Sequence, residues 1–132
     1  MRSQNKVILQ GRLASNPEIR NEDGIKVAYF PLAINCDWDK STNAKGDSVD
    51  YHRIVAFDKM CDLVAMHIIK GTPILIEGRL QNRGFEGSYG KRHYLTEIIL
   101  EKLQILIFKK SKHTGMEINV VDVSEIDQTT NN

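Results

Sequence analysis

Flat apolar rings alternate with cations along much of this chain. Trp38, Tyr51, Phe57 and Phe85, with Tyr89 beside the last, are interleaved with Arg12, Arg53, Lys59, Arg79, Arg83, Lys91 and Arg92. Single-stranded nucleic acid requires this pairing of residue types, because cations follow its phosphates and rings lie against its unpaired bases. A double helix keeps its bases out of reach of such rings. Tyr51, Arg53 and Phe57 share strand parity and so fall on one face, where the arginine argues against a wholly buried surface. Taken singly, Phe57 and Tyr29 read as core, since aromatics inside alternating strands usually pack. Trp38 and Phe85 differ: each borders a charged, turn-forming or glycine-rich segment where burial is less natural.

The groups that catalysis needs are not arranged for it. No GxSxG elbow occurs, and the run GFEGSYGKR from Gly84 fails as a phosphate loop. Phe85 stands where its first glycine is required and Arg92 where the metal-binding Ser or Thr belongs. His52 and Asp50 share a strand face with no nucleophile beside them, so His52 reads as a structural histidine. His52, His67, His93 and His113 are scattered, and Cys36 and Cys61 make no zinc-ligand spacing. We therefore expect no metal, no cofactor and no enzymatic activity.

The elements that must position these residues come next. At 132 residues, 41% hydrophobic and 27% charged, the chain is sized for one domain with a core that needs no disulfide or metal staple. Period-two patterns predict strands over Lys6 to Leu13, Lys26 to Asn35, Asp50 to Phe57, Pro73 to Leu80 and Tyr94 to Leu100. Leu63, Val64, His67 and Ile68 recur at helical spacing after Lys59, with Gly71 at the expected C-cap. Ser15-Asn16-Pro17 and Asp23-Gly24 read as turns, residues 39–50 as an exposed loop, and Gln81 to Arg92 as a long hairpin tip. Leu103 to Phe108 extends the last strand or forms another, and Met116 to Val123 could add a terminal one. The expectation is an all-β, five-stranded OB-fold Greek-key barrel, with other small barrels as the alternatives that the element order leaves open. One short helix lies between its third and fourth strands and a long hairpin between its fourth and fifth. Residues 1–110 would form the domain and residues 111–132 a short polar, acidic tail.

Charge is divided along the chain. All eighteen Lys and Arg lie at or before Lys112, giving that stretch a net charge of +5, whereas residues 113–132 carry −4. The tail is thus expected to compete weakly with DNA for the basic surface. Gln10 and Arg12 interrupt any signal-peptide core, and no stretch has the apolar length of a membrane span. A cytoplasmic protein with no membrane partner is the reading.

Over about residues 4–108 the chain resembles the bacterial and phage-type single-stranded DNA-binding protein family. The segments that carry the resemblance are NKVILQGRL from Asn5, NPEIR from Asn16, YHRIVAF from Tyr51, Lys70-Gly71, IEGRL from Ile76 and YLTEI from Tyr94, in the family's order and spacing. The resemblance implies an OB-fold homotetramer, with a dimer as second choice. It implies sequence-tolerant binding and protection of single-stranded DNA during replication, recombination and repair, in the cytoplasm with the nucleoid, or in a host's cytoplasm for a phage protein. It places the base-stacking rings at Trp38, Tyr51, Phe57 and Phe85, and His52 at a subunit interface. One departure is the carboxyl end, which lacks the family's terminal Pro-Phe, so the resemblance does not extend to recruiting partner enzymes by that route. The alternative is an OB-type assembly adaptor, like the primosomal replication-restart proteins, acting mainly through protein contacts.

Overall fold

The computed structural model describes residues 1–36, 48–111 and 115–123. They form β1 (Val7–Leu13), β2 (Glu18–Glu22), β3 (Ile25–Asn35), β4 (Val49–Phe57), α1 (Lys59–His67), β5 (Pro73–Glu86), β6 (Arg92–Ser111) and β7 (Gly115–Asp122). Five strands close a ring in the order β1-β5-β6-β4-β3 and back to β1 through Arg12↔Ala33 and Leu13↔Leu32. Neighbours in it are antiparallel except β4 and β6, which run parallel at Ile54↔Ile98 and Val55↔Ile99. These are the five expected strands with the expected single helix, in an arrangement consistent with the OB-fold.

Alternation fixes which face is inside. Ala28, Phe30 and Leu32 of β3, Ile54 and Ala56 of β4, and Ile74 and Ile76 of β5 point into one buried cluster. Helix α1 packs against β3, β4 and β6 and adds Cys61, Leu63 and Val64 to that cluster. The chain enters α1 through Asp58 at φ +52, held by a hydrogen bond from its N–H to Lys26 O at 3.0 Å. The helix ends at His67, with Ile68 already extended, so Gly71 is not its C-cap. Instead Gly71, at φ +89, turns the chain toward β5, and its N–H donates to Leu13 O at 2.8 Å.

Two strands go beyond the expected five. Glu18–Glu22 has one apolar residue and no alternation, so its pattern carries no strand signal. It is an edge strand held to β3 by the ladder and by the two-residue turn Asp23-Gly24, where both φ angles are positive (52° and 81°). Such a turn matches the twist of the strands it joins. At the other end β7 pairs with β6 from Ser111↔Gly115 to Gln104↔Asp122, and Val123 is buried in the core. Residues 115–122 thus join the sheet.

The long last strand is continuous. Glu77 pairs with Lys102 but Gly78 with Leu100, so Glu101 is an extra residue in β6. A bulge of this kind moves the inward face by one position. Ile98 and Leu100 face the core before it, and Leu103 after it. The same shift interrupts the alternation that splits Tyr94–Leu100 from Leu103–Phe108 in the sequence. From Gln81↔Glu97 outward, the two strands of the hairpin pair only with each other, as far as Glu86↔Arg92. Strand structure reaches Glu86, leaving a short tip around Ser88–Gly90.

Gly78 sits at this bulge with its backbone against β6. A Cβ there would collide with the Ile99 carbonyl oxygen and crowd Ile98 Cγ2, whereas a Cβ at Gly84 meets only the flexible end of Arg92. Gly78→Ala is expected to destabilise the protein by about 1–3 kcal/mol. Gly84→Ala should stay within about 0.5 kcal/mol of the parent, as measured by urea denaturation.

Candidate nucleic-acid interface

The outer face of β3, β4, β5 and β6 is not an ordinary solvated surface. On β4 the outward parity carries Tyr51, Arg53, Val55 and Phe57, and on β3 it carries Val27 and Tyr29. Across the hairpin it carries Arg79, Gln81, Arg83 and Phe85 opposite Ile99, Glu97, Leu95 and His93. Val27, Tyr29, Val55 and Ile99 form a small buried cluster of their own, separate from the ring's core. Around it Tyr51, Phe57 and Phe85 stand 65%, 37% and 49% exposed. Phe57 belongs to neither core cluster, so its ring is available on the surface.

A buried carboxylate organises the charges between those rings. Glu97, 2% exposed, accepts from Arg53 Nε at 2.6 Å and from Arg83 Nη2 at 3.2 Å, both through Oε2. Taking a carboxylate out of water costs several kcal/mol, which charge-assisted hydrogen bonds of this kind offset. Arg53 lies over the Tyr29 ring at 4.4 Å and Arg20 over the same ring at 4.8 Å. The Tyr29 hydroxyl donates to Glu22 Oε1 at 2.8 Å. Burial, reinforced by that hydrogen bond, holds the Tyr29 phenol above its ordinary pKa. Arg20 also grips Glu18 with two hydrogen bonds, at 3.0 and 3.1 Å, which lower the Glu18 pKa through hydrogen bonding and charge together.

The structure therefore brings together Tyr51, Arg53, Phe57, Arg79, Arg83 and Phe85. Lys59 opens α1, two residues beyond Phe57, and is exposed. Arg12 is engaged elsewhere, over the Phe108 ring at 5.9 Å and donating to Gly71 O at 3.1 Å. Lys91 is exposed at the hairpin tip, while Arg92 lies over Tyr94 at 6.0 Å on the hairpin's opposite face. Trp38 and most of the expected 39–50 loop fall outside the described residues. His52 is half-buried and lines an open cavity of about 320 Å³ with Ser15, Asn16, Glu18, Tyr51 and Arg53. Among the described residues no group of His, Cys, Asp and Glu is placed to hold a metal ion, and no helix is long and apolar enough to cross a membrane.

Four residues of this face do not emerge from composition: Arg20, Tyr29, His93 and Glu97. Glu97 has a sequence signal, an acid at outward parity in a strand whose partner carries Arg79 and Arg83 at that parity. Arg20 has none, because its strand has no hydrophobic pattern. Glu97→Gln keeps the shape and removes the charge that holds two guanidiniums. It should lower stability by about 1.5–3 kcal/mol in urea denaturation, the worth of a hydrogen bond to a charged group.

Comparison with known proteins places the chain in a family. The model of the single-strand binding protein family matches residues 4–106. A protein named single-stranded DNA-binding protein 1 from Staphylococcus aureus (strain Mu50 / ATCC 700699) is 38% identical over 116 residues, covering 86% of this chain and 72% of the relative. Single-stranded DNA-binding protein 3 from Listeria innocua serovar 6a is 38% identical over 117 residues, covering 87% of this chain and 71% of that one. With the family matched over most of its length and relatives aligned across the site, the chain belongs to the single-strand binding protein family.

Proposed function

We propose that this protein binds single-stranded DNA with little sequence preference and protects it during replication, recombination and repair. It does so without catalysis, in the cytoplasm. The observation that carries the reading is the outer sheet face, where three exposed rings, Tyr51, Phe57 and Phe85, surround a floor of anchored arginines. Bases stack on the rings in a sequence-tolerant way, since every base has a flat face, while Arg79 and the free edges of Arg53 and Arg83 meet phosphate. Lys59, Lys91 and Trp38 complete the track, with Arg92 contributing where the strand wraps around the hairpin. The names of the relatives support the same class of ligand.

The active form is a homotetramer. A single 15.0 kDa ring offers a short track, and Ile8, Ile118 and Val120 leave apolar surface exposed away from the aromatic face, where copies can meet. His52 serves a separate subunit contact, beside the open cavity that it lines.

Competition between oligo-dT and a duplex of equal length tests the reading. Oligo-dT should win by a wide margin, with log affinity falling against log salt by about 0.7 per phosphate neutralised. Tyr51→Ala and Phe85→Ala should each cost about 1–3 kcal/mol of binding, with the thermal midpoint held. Equal affinity for duplex would contradict it. Weak binding to both nucleic acids would favour the adaptor reading instead.

A further inference from the structure

The face that carries the aromatics does not end at β3. Arg20 stands opposite Val27 and Val27 opposite Phe57, so the three form one row across β2, β3 and β4. Directly paired residues share a face, which sets Arg20 on the outward side, two strands and about 10 Å from Phe57 between backbones. Glu18 and Glu22 share the parity of Arg20. Among the described residues β2 is the last strand in that direction, so these three side chains form the margin of the face.

Each nitrogen of the Arg20 guanidinium is turned toward an acid of its own strand. Nε donates to Glu18 Oε1 at 3.0 Å and Nη2 to Glu18 Oε2 at 3.1 Å, while Nη1 lies 3.9 Å from Glu22 Oε1. The guanidinium also lies over the Tyr29 ring, 4.8 Å from its centre, which gives it a platform. Two parallel hydrogen bonds are the geometry in which arginine grips a carboxylate or a phosphate. Both partners stay open to water, the Arg20 side chain 45% exposed and the Glu18 side chain 62%. A pair so exposed adds little to stability, and breaking it costs correspondingly little.

We propose that Arg20 is a further phosphate-binding residue of the DNA track, and that the Glu18 carboxylate occupies its fork as an internal stand-in for that phosphate. This rests on the single-stranded DNA reading above. A strand that continues past Phe57 onto β2 displaces Glu18, and the fork exchanges one bidentate anion for another. Tyr29 keeps the guanidinium in place during the exchange. The displaced carboxylate stays beside the phosphate and repels it, so Glu18 is a brake on the affinity that Arg20 supplies.

The test is a double-mutant cycle on the full chain, read as affinity for oligo-dT over a range of salt. The parent, Glu18→Gln, Arg20→Gln and the double variant are compared, with Arg20→Lys beside them and thermal midpoints to show that each is folded. Glu18→Gln should bind about two- to fivefold more tightly than the parent, the worth of one exposed ion pair. Arg20→Gln should bind more weakly by a similar factor, with a salt dependence shallower by about 0.7. Arg20→Lys should restore the salt dependence without the whole affinity, because it keeps the charge and lacks the fork. In the Arg20→Gln background the gain from Glu18→Gln should be largely lost. An equal gain in both backgrounds is what general repulsion of DNA by the Glu18 charge gives, and it would overturn the proposal. So would Arg20→Gln with the parent's salt dependence, which marks a structural role. A parent that fails to bind oligo-dT removes the DNA-binding reading itself, whereas a parent that binds with its Arg20 variants unchanged removes this proposal alone.

Discussion

The carboxylate of Glu97 lies on the outside of a closed ring of strands and is nonetheless almost wholly buried. It receives Arg53 from β4 and Arg83 from β5 while belonging to β6, so one oxygen ties three strands together on the face that carries the exposed aromatics. Arg53 in turn lies over Tyr29, and Tyr29 fills the small outer cluster with Val27, Val55 and Ile99. The result is a floor in which charge is held in place. Rings at its margins stay exposed because the space between them is already filled by guanidinium planes, which remain partly open to solvent.

That arrangement depends on the hairpin having the right faces outward. β6 must bury Ile98 and Leu100 in the ring's core while sending Glu97 and Ile99 out, and beyond the bulge it must bury Leu103. Glu101 absorbs the change of phase, and Gly78 admits the close backbone approach opposite it. The two devices are coupled. A strand that kept one phase throughout would turn either the core residues or the outer-face residues the wrong way.

Much of this was legible in the sequence, and the exceptions have physical causes. Strands with one buried face announce themselves by alternation, so β1, β3, β4 and the inner part of β5 are readable, as is the grouping of Tyr51, Arg53 and Phe57. β2 is not, because an edge strand with both faces in water needs no apolar pattern and its order comes from its turn and its partner. The full length of β6 is hidden by its own bulge. Phe57 taken singly reads as core, whereas its parity with Tyr51 and Arg53 puts it on the outward face, where it stands exposed. The role of Glu97 depends on a cross-strand register, which one strand read in isolation does not contain. Tyr29 is a mixed case: it is buried in an apolar cluster, as its strand pattern suggests, yet its ring also lies beneath two arginines.

The central claim is that nucleic acid lies on this face and not on the apolar surface around β1 and β7. Ultraviolet cross-linking of the full chain to oligo-dT, with the modified residues mapped by mass spectrometry, addresses it most directly. The account predicts cross-links at Tyr51, Phe57 and Phe85, and none at Phe108, which lies beneath Arg12 on the other side of the ring. Cross-links concentrated at Phe108 and Ile118, with Tyr51 and Phe85 unmodified, would contradict it.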